Sequence, residues 1–311
     1  ITQAHEAILS SSPIEPVEFE GFSFDIKRED LLHPEFGGNK WRKLKYNLER
    51  ARHEGHKTIL TFGGAWSNHI HATARACAEF GFKSIGVIRG EEPAVLSSTL
   101  NQAKESGMQL VFMSRAEYRE KGEPFFKAWL HDLYGSFYLV PEGGSNYLGV
   151  QGCTEILDDQ TKEYDLITCA CGTGATLAGL ILSLKPSQRA LGFSALKGGF
   201  MRDEVVKHLG YALGDLNAPD EYLHAFEICE DYHFGGYAKT DPTLIKFIRH
   251  FQKETGIALD AIYTGKMIFG LVDMISSGKI DASDKVLAIH TGGLQGNAGI
   301  EQRLGEKLFE G

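Results

Sequence analysis

The sequence predicts an α/β protein built from two open, mostly parallel twisted sheets flanked by helices. Short apolar, β-rich runs alternate with helical patterns along most of the chain, the signature of parallel strands joined by crossover helices. The length of 311 residues exceeds one typical core and predicts two packed units. Glycine is in excess: 36 residues, or about 12% of the chain against an average of roughly 7%. The excess is concentrated in doublets, among them Gly37-Gly38, Gly63-Gly64, Gly143-Gly144, Gly235-Gly236 and Gly292-Gly293. Doublets between apolar runs mark tight turns where backbone approaches something closely.

The expected strands span residues 22–27, 58–62, 84–88, 109–113, 137–140, 166–170, 191–195 and 286–290. A helix is predicted over 40–54, where Trp41, Leu44, Leu48 and Ala51 recur at helical spacing among basic residues. A second is predicted over 266–277, with Ile268, Leu271, Val272 and Ile275 on one face. No repeat, low-complexity tract or Pro-rich linker divides the chain. The βα series over 44–148 is expected as a small inserted unit, with 1–43 and 149–311 joining into a large one. In open α/β folds ligands sit at the C-terminal ends of strands, and most of the glycine loops lie there.

Composition narrows the function classes. The net charge of −9 argues against nucleic acid, since phosphate backbones require a basic face. No apolar run approaches the ~20 residues that span a bilayer, and no secretory apolar segment opens the chain. Five scattered cysteines suit reduced thiols in a cytoplasm better than a disulfide framework. Cys169 and Cys171 have no second pair to complete a zinc site and are read as small side chains at the end of a buried strand. His69 and His71, two apart on a helix, would point away from each other, so no metal site is expected.

Five loops carry candidate chemistry. Gly37-Gly38-Asn39-Lys40 opens the first helix. A lysine at a helix N-terminus faces the positive end of the macrodipole, which disfavours the ammonium form and suits Schiff-base chemistry; a solvated first-turn lysine would look the same. Cys171-Gly172-Thr173-Gly174-Ala175-Thr176 follows an apolar strand and opens an apolar helix. Its N–H groups and the hydroxyls of Thr173 and Thr176 make a cradle for one phosphate monoester, or else a close strand–helix turn. It matches neither the nucleotide P-loop nor the dinucleotide fingerprint, in which a glycine would replace Leu177. Gly63-Gly64-Ala65-Trp66-Ser67-Asn68-His69 places Ser67 as a helix cap, and no Gly-x-Ser-x-Gly elbow supports serine-hydrolase chemistry. Tyr263-Thr264-Gly265-Lys266 and His290-Thr291-Gly292-Gly293 each set a hydroxyl beside a glycine; Tyr263 could stack on a planar ligand, exchange a proton or anchor an interface.

These loops, in this order from about Asp25 to Gly293, resemble the fold-type-II pyridoxal-phosphate enzymes, whose fold is that of the tryptophan synthase β chain. Within them the chain is similar to the group of D-cysteine desulfhydrase and 1-aminocyclopropane-1-carboxylate (ACC) deaminase. The resemblance implies pyridoxal 5′-phosphate as cofactor, a small amino acid as substrate and a cytoplasmic homodimer. It implies that Lys40 carries the cofactor as a Schiff base and that Asn68 bonds its phenolic oxygen. Residues 171–176, namely Cys171, Gly172, Thr173, Gly174, Ala175 and Thr176, would hold the phosphate. Thr291, with Gly292, would meet the ring nitrogen, and Thr264 is the other candidate there. Tyr263 and Tyr237, the latter in Phe234-Gly235-Gly236-Tyr237, would face the substrate. Ser67 would meet its carboxylate. Lys40 or a tyrosine would take the α-proton.

ACC deaminases carry a glutamate where this chain has Thr264. A neutral hydroxyl stabilises a protonated ring nitrogen less than a carboxylate does. A weaker electron sink suits α,β-elimination better than opening a cyclopropane. The expected reaction is therefore elimination of D-cysteine to pyruvate, ammonia and sulfide, with ACC deamination, or a lyase or racemase reaction on another β-substituted amino acid, as the alternatives. Trp66 departs from the desulfhydrases, which have glutamine there, and bears on the choice among these substrates.

Overall fold

A computed structural model describes residues 12–309; residues 1–11 and 310–311 of the expected large unit lie outside that range. Two sheets form. The six-stranded one contains, from edge to edge, β1 (Ile14–Phe19), β2 (Phe22–Lys27), β10 (Val286–Ile289), β7 (Leu166–Cys171), β8 (Arg189–Ser194) and β9 (Phe226–Cys229). The four-stranded one contains β5 (Met108–Met113), β4 (Lys83–Arg89), β3 (Thr58–Gly63) and β6 (Tyr138–Val140). Every pairing is parallel except β1 with β2.

The eight expected strands are all present, with ends shifted by two residues at most. β1 and β9 were not expected, and both are edges. β1 carries Pro16, which lacks the N–H that an interior strand must donate and is tolerated at an edge. β9 is four residues long and offers little pattern to detect.

The helices are α1 (Asn39–His53), α2 (Asn68–Glu79), α3 (Ser98–Glu105), α4 (Arg115–Arg119), α5 (Pro124–Tyr134), α6 (Tyr147–Cys153), α7 (Ala175–Ser183), α8 (Met201–Leu213), α9 (Pro242–Thr255), α10 (Thr264–Ser276) and α11 (Asn297–Leu304). Trp41, Leu44, Leu48 and Ala51 of α1 pack into one buried cluster with Ile59, Ala72 and Ala76 from β3 and α2. Each large side chain there stabilises the fold by roughly 1.5–3 kcal/mol. α10 starts at Thr264 instead of the expected 266, because the Asp260 carboxylate accepts the backbone N–H groups of Ile262, Tyr263 and Thr264. Its Ile268, Leu271 and Val272 are buried, with Ile275 packed against the same core.

α1 is fixed relative to α7 through α6. A Cβ at Gly152 would lie 1.8 Å from the Arg42 carbonyl oxygen, and one at Gly179 would lie 2.4 Å from the Cys153 Cβ. Only glycine permits this approach. The start of α1 is thereby held beside the start of α7.

Candidate active site

The C-terminal ends of β3, β4, β6, β7, β8 and β10 and the starts of α1, α2 and α7 surround a cavity of about 440 Å³. Both sheets contribute to its wall. Lys40, Ser67, Asn68, Cys171, Gly172, Thr173, Gly174, Thr176, Tyr237, Tyr263, Thr291 and Gly292, spread over more than 250 positions of sequence, all line it. Two expected residues do not: Ala175 is the buried first residue of α7, and Thr264 is fully buried behind the wall. The Thr264 hydroxyl donates to Asp260 Oδ2 at 2.6 Å and so is directed away from the cavity. Thr291 is the hydroxyl residue that lines this end.

Lys40 stands in the first turn of α1. The turn is forced by Gly38, with φ of 75° and a hypothetical Cβ only 2.2 Å from the Thr291 carbonyl oxygen. Among the described residues its amine has no hydrogen-bond or ion-pair partner. Burial first, and then the charge of Lys43, lower its pKa from 10.5 to about 7. Burial therefore leads where the sequence pointed to the helix dipole. The sign follows: the folded chain releases this proton at lower pH than the unfolded chain, so the group's contribution to stability rises with pH between about 7 and 10.5. In the cofactor-free protein, reductive labelling of Lys40 by a small aldehyde is expected to be half-maximal near pH 7, followed by peptide mass analysis; a midpoint above about 9 would contradict the burial argument.

Lys43, missed in the sequence, is three residues on and shares the helix face of Lys40. It is 2% exposed, and its Nζ lies 3.3 Å from Thr173 Oγ1, which also accepts a bond from Ser145 Oγ at 2.6 Å. A buried ammonium without a carboxylate partner is costly unless an anion joins it. Thr173, Gly174 and the open N–H groups at the start of α7 face the same volume. This end of the cavity is built for a phosphate. The i, i+3 spacing of the two lysines was the available signal.

Ser67 caps α2, its Oγ accepting the Ile70 N–H at 3.2 Å, while its side chain stays on the wall. Asn68 Oδ1 is buried without a hydrogen-bond partner, and such groups are rare unless a ligand completes them. His69 is buried, bonds Thr61 Oγ1 at 2.8 Å, and is held neutral by burial and by the charges of Lys40 and Lys43. No group of metal-ligating side chains forms among the described residues.

Tyr237 and Tyr263 face each other with ring centroids 6.2 Å apart. Burial raises both phenol pKa values, Tyr263 strongly, while contact with Tyr263 opposes the rise at Tyr237. Both are proton donors at neutral pH. Arg89 and Glu142 also line the cavity, and Lys121 pairs with Glu142 at 3.3 Å. The Trp66 indole lines the cavity and lies flat against α11, where a Cβ at Gly299 would come within 2.8 Å of it.

An unpaired amine and a phosphate cradle flanked by a buried lysine fit pyridoxal phosphate, and the Asn68 amide on the wall would offer its NH2 as donor to the phenolic oxygen. Lys40 would hold its aldehyde carbon, Asn68 its phenolic edge, Thr291 its ring nitrogen, and Lys43 with residues 172–176 its phosphate.

The comparisons agree. The family model "Pyridoxal-phosphate dependent enzyme" matches residues 13–292. A Thermotoga maritima protein named "Putative 1-aminocyclopropane-1-carboxylate deaminase" is 32% identical over 91% of this chain and 93% of its own length. An Arabidopsis thaliana protein named "Bifunctional D-cysteine desulfhydrase/1-aminocyclopropane-1-carboxylate deaminase, mitochondrial" is 29% identical over 87% of this chain and 72% of its own. The solved structure of an ACC deaminase homologue superposes with a TM-score of 0.81 at 30% identity, covering 96% of this chain and 94% of that one. An O-ureido-L-serine synthase shares the fold, at 17% identity and a TM-score of 0.69 over 100% of this chain and 96% of its own. Among the described residues no helix is long and apolar enough to cross a membrane. The chain belongs to the pyridoxal-phosphate dependent enzymes of fold type II and is a lyase of the ACC deaminase and D-cysteine desulfhydrase type.

Proposed function

We propose that the enzyme catalyses α,β-elimination on D-cysteine, which with one water gives pyruvate, ammonia and sulfide. The observation that carries this reading is the neutral character of the ring-nitrogen end. Thr291 lines the cavity there, and the nearby Asp260 carboxylate is spent on three backbone N–H groups and the Thr264 hydroxyl. The carboxylate on the wall, Glu142, belongs to the opposite, β6 side and is paired with Lys121.

Bound pyridoxal phosphate supplies an electron sink at the substrate's Cα. The chain supplies the rest. Ser67 and the N-terminus of α2 offer donors and a positive dipole end to the substrate carboxylate. With its pKa near 7, Lys40 serves as the base that takes the α-proton. Tyr237 and Tyr263 stay protonated and can donate to the departing thiolate. A positioned base contributes ~10²–10⁴-fold in rate.

The names of the Thermotoga and Pyrococcus furiosus relatives, both "Putative 1-aminocyclopropane-1-carboxylate deaminase", favour ring opening of ACC as the second reading. Incubation of the purified enzyme with D-cysteine and, separately, with ACC decides between them. Pyruvate and sulfide from D-cysteine, with little 2-oxobutyrate from ACC, is the expected result; the reverse pattern replaces elimination by ring opening. The same reading includes a homodimer in the cytoplasm and the division into 1–43 plus 149–311 and an inserted 44–148. The last is supported by the two sheets sharing no strand.

A further inference from the structure

Lys266 closes the Tyr263-Thr264-Gly265-Lys266 motif but does not line the cavity. It is 2% exposed in the first turn of α10, and among the described residues no carboxylate lies within ion-pair distance. Burial lowers its pKa to about 8, so it is mostly a cation at neutral pH. Its Nζ donates to two backbone carbonyls, those of His233 and Gly236, each at 2.8 Å. On the far side of Tyr237, Arg303 of α11 donates from Nη2 to the Ala238 carbonyl at 2.7 Å. The carbonyls of the residues before and after Tyr237, Gly236 and Ala238, are thus each held by a different cation.

The held segment is one that would not keep its shape unaided. It lies in no strand or helix. Phe234 and Ala238 have φ of 53°, and Gly235 and Gly236 have φ of 91° and 115°. Side chains disfavour the left-handed region, and non-glycine residues persist there only where the surroundings over-determine them. Here those surroundings are the two cations, the His233 ring accepting the Gly235 N–H at 2.9 Å, and Phe234 edge-on to Phe269. A buried ammonium satisfied by carbonyl dipoles alone is an expensive way to pack a helix start. An apolar side chain of equal length would fill the space but leave each carbonyl only its turn bond, from the Gly236 N–H at 3.0 Å to His233 and from the Lys239 N–H at 3.1 Å to Gly236.

We propose that Lys266 and Arg303 are positioning residues that hold the Tyr237 phenol over the catalytic cavity by pinning the carbonyls on either side of it. The proposal rests on the reading above that Tyr237 meets the substrate. Neither cation touches the reacting atoms; both act through the loop.

Lys266→Met, Lys266→Arg and Arg303→Gln in the full-length enzyme loaded with cofactor test it, with two independent readouts. Hydrogen exchange across residues 233–239 is expected to quicken about tenfold in Lys266→Met and Arg303→Gln, with α1 unchanged. The near-visible cofactor absorbance stays as in the parent, while kcat falls about tenfold with KM moving less than threefold. Lys266→Arg restores at least part of kcat. Tyr237→Phe lowers kcat in the parent but adds less than about twofold in the Lys266→Met background, since the phenol is already misplaced. Should Lys266→Met fail to fold, Arg303→Gln carries the same readouts from a partly exposed helix. Unchanged exchange in the variants that fold overturns the clamp. Faster exchange with a fully multiplicative Tyr237→Phe effect overturns its link to the phenol. If the parent turns over no amino acid, the functional reading fails, and the exchange measurement still decides the clamp.

Discussion

Replacing Lys40 with alanine is expected to lower keto-acid release from any amino acid the enzyme accepts by at least about 10³-fold. Two roles are lost together. The amine with no internal partner and a pKa near 7 is the group able both to join the cofactor covalently and to act as a base near neutral pH. Lys43 cannot replace it, because that ammonium is directed at Thr173 and the phosphate end. The measurement is turnover together with intact mass after borohydride reduction. The parent should gain the mass of the reduced cofactor at Lys40, and the variant should not. A variant within tenfold of the parent, or an adduct on another lysine, would remove Lys40 from the mechanism.

The second large effect is on stability. Asp260 is fully buried, and its two carboxylate oxygens accept the N–H groups of Ile262 at 2.9 Å, Tyr263 at 2.7 Å and Thr264 at 2.9 Å, and the Thr264 hydroxyl at 2.6 Å. Asp260→Ala leaves four donors facing no acceptor inside the core. A loss of about 3–5 kcal/mol is expected, since hydrogen bonds to a charged acceptor contribute about 1.5–3 kcal/mol each and do not add fully. Asp260→Asn keeps one oxygen acceptor and should lose less. The urea midpoint measures both, and a loss under about 1 kcal/mol for the alanine variant would show that α10 starts without this cap. Activity should fall alongside stability, because Tyr263 directly precedes α10 and takes its place from Asp260.

Much of this was legible in the sequence because the βα units that build the cavity announce themselves twice, by an apolar run and by a glycine near its end. Gly63-Gly64, Gly172 and Gly292-Gly293 lie at or within a few residues of the C-terminal ends of β3, β7 and β10, so the residues beside them could be assigned to one cavity before any contact was known. What escaped depends on directions that spacing does not encode. Whether the Thr264 hydroxyl turns to the cavity or to the core is decided by a carboxylate four residues upstream. Asp260 itself looks like any loop aspartate until its burial is seen. Lys43 was hidden among the basic residues of α1, where only the packing of α7 distinguishes a cation facing inward from its solvated neighbours. The fold was easier than the site because burial has a period, and the aim of a single polar atom does not.

The contact between Gly152 and the Arg42 carbonyl bears on how freely this protein can drift. Position 152 lies on a helix that contributes nothing to the cavity wall, and in an alignment it would be taken for filler. A methyl group there would have to push α1 outward, carrying Lys40 and Lys43 with it. The precision of the reactive amine is thus lodged in a residue with no side chain, off the cavity wall, and evolutionary change at that point is closed for reasons of space alone.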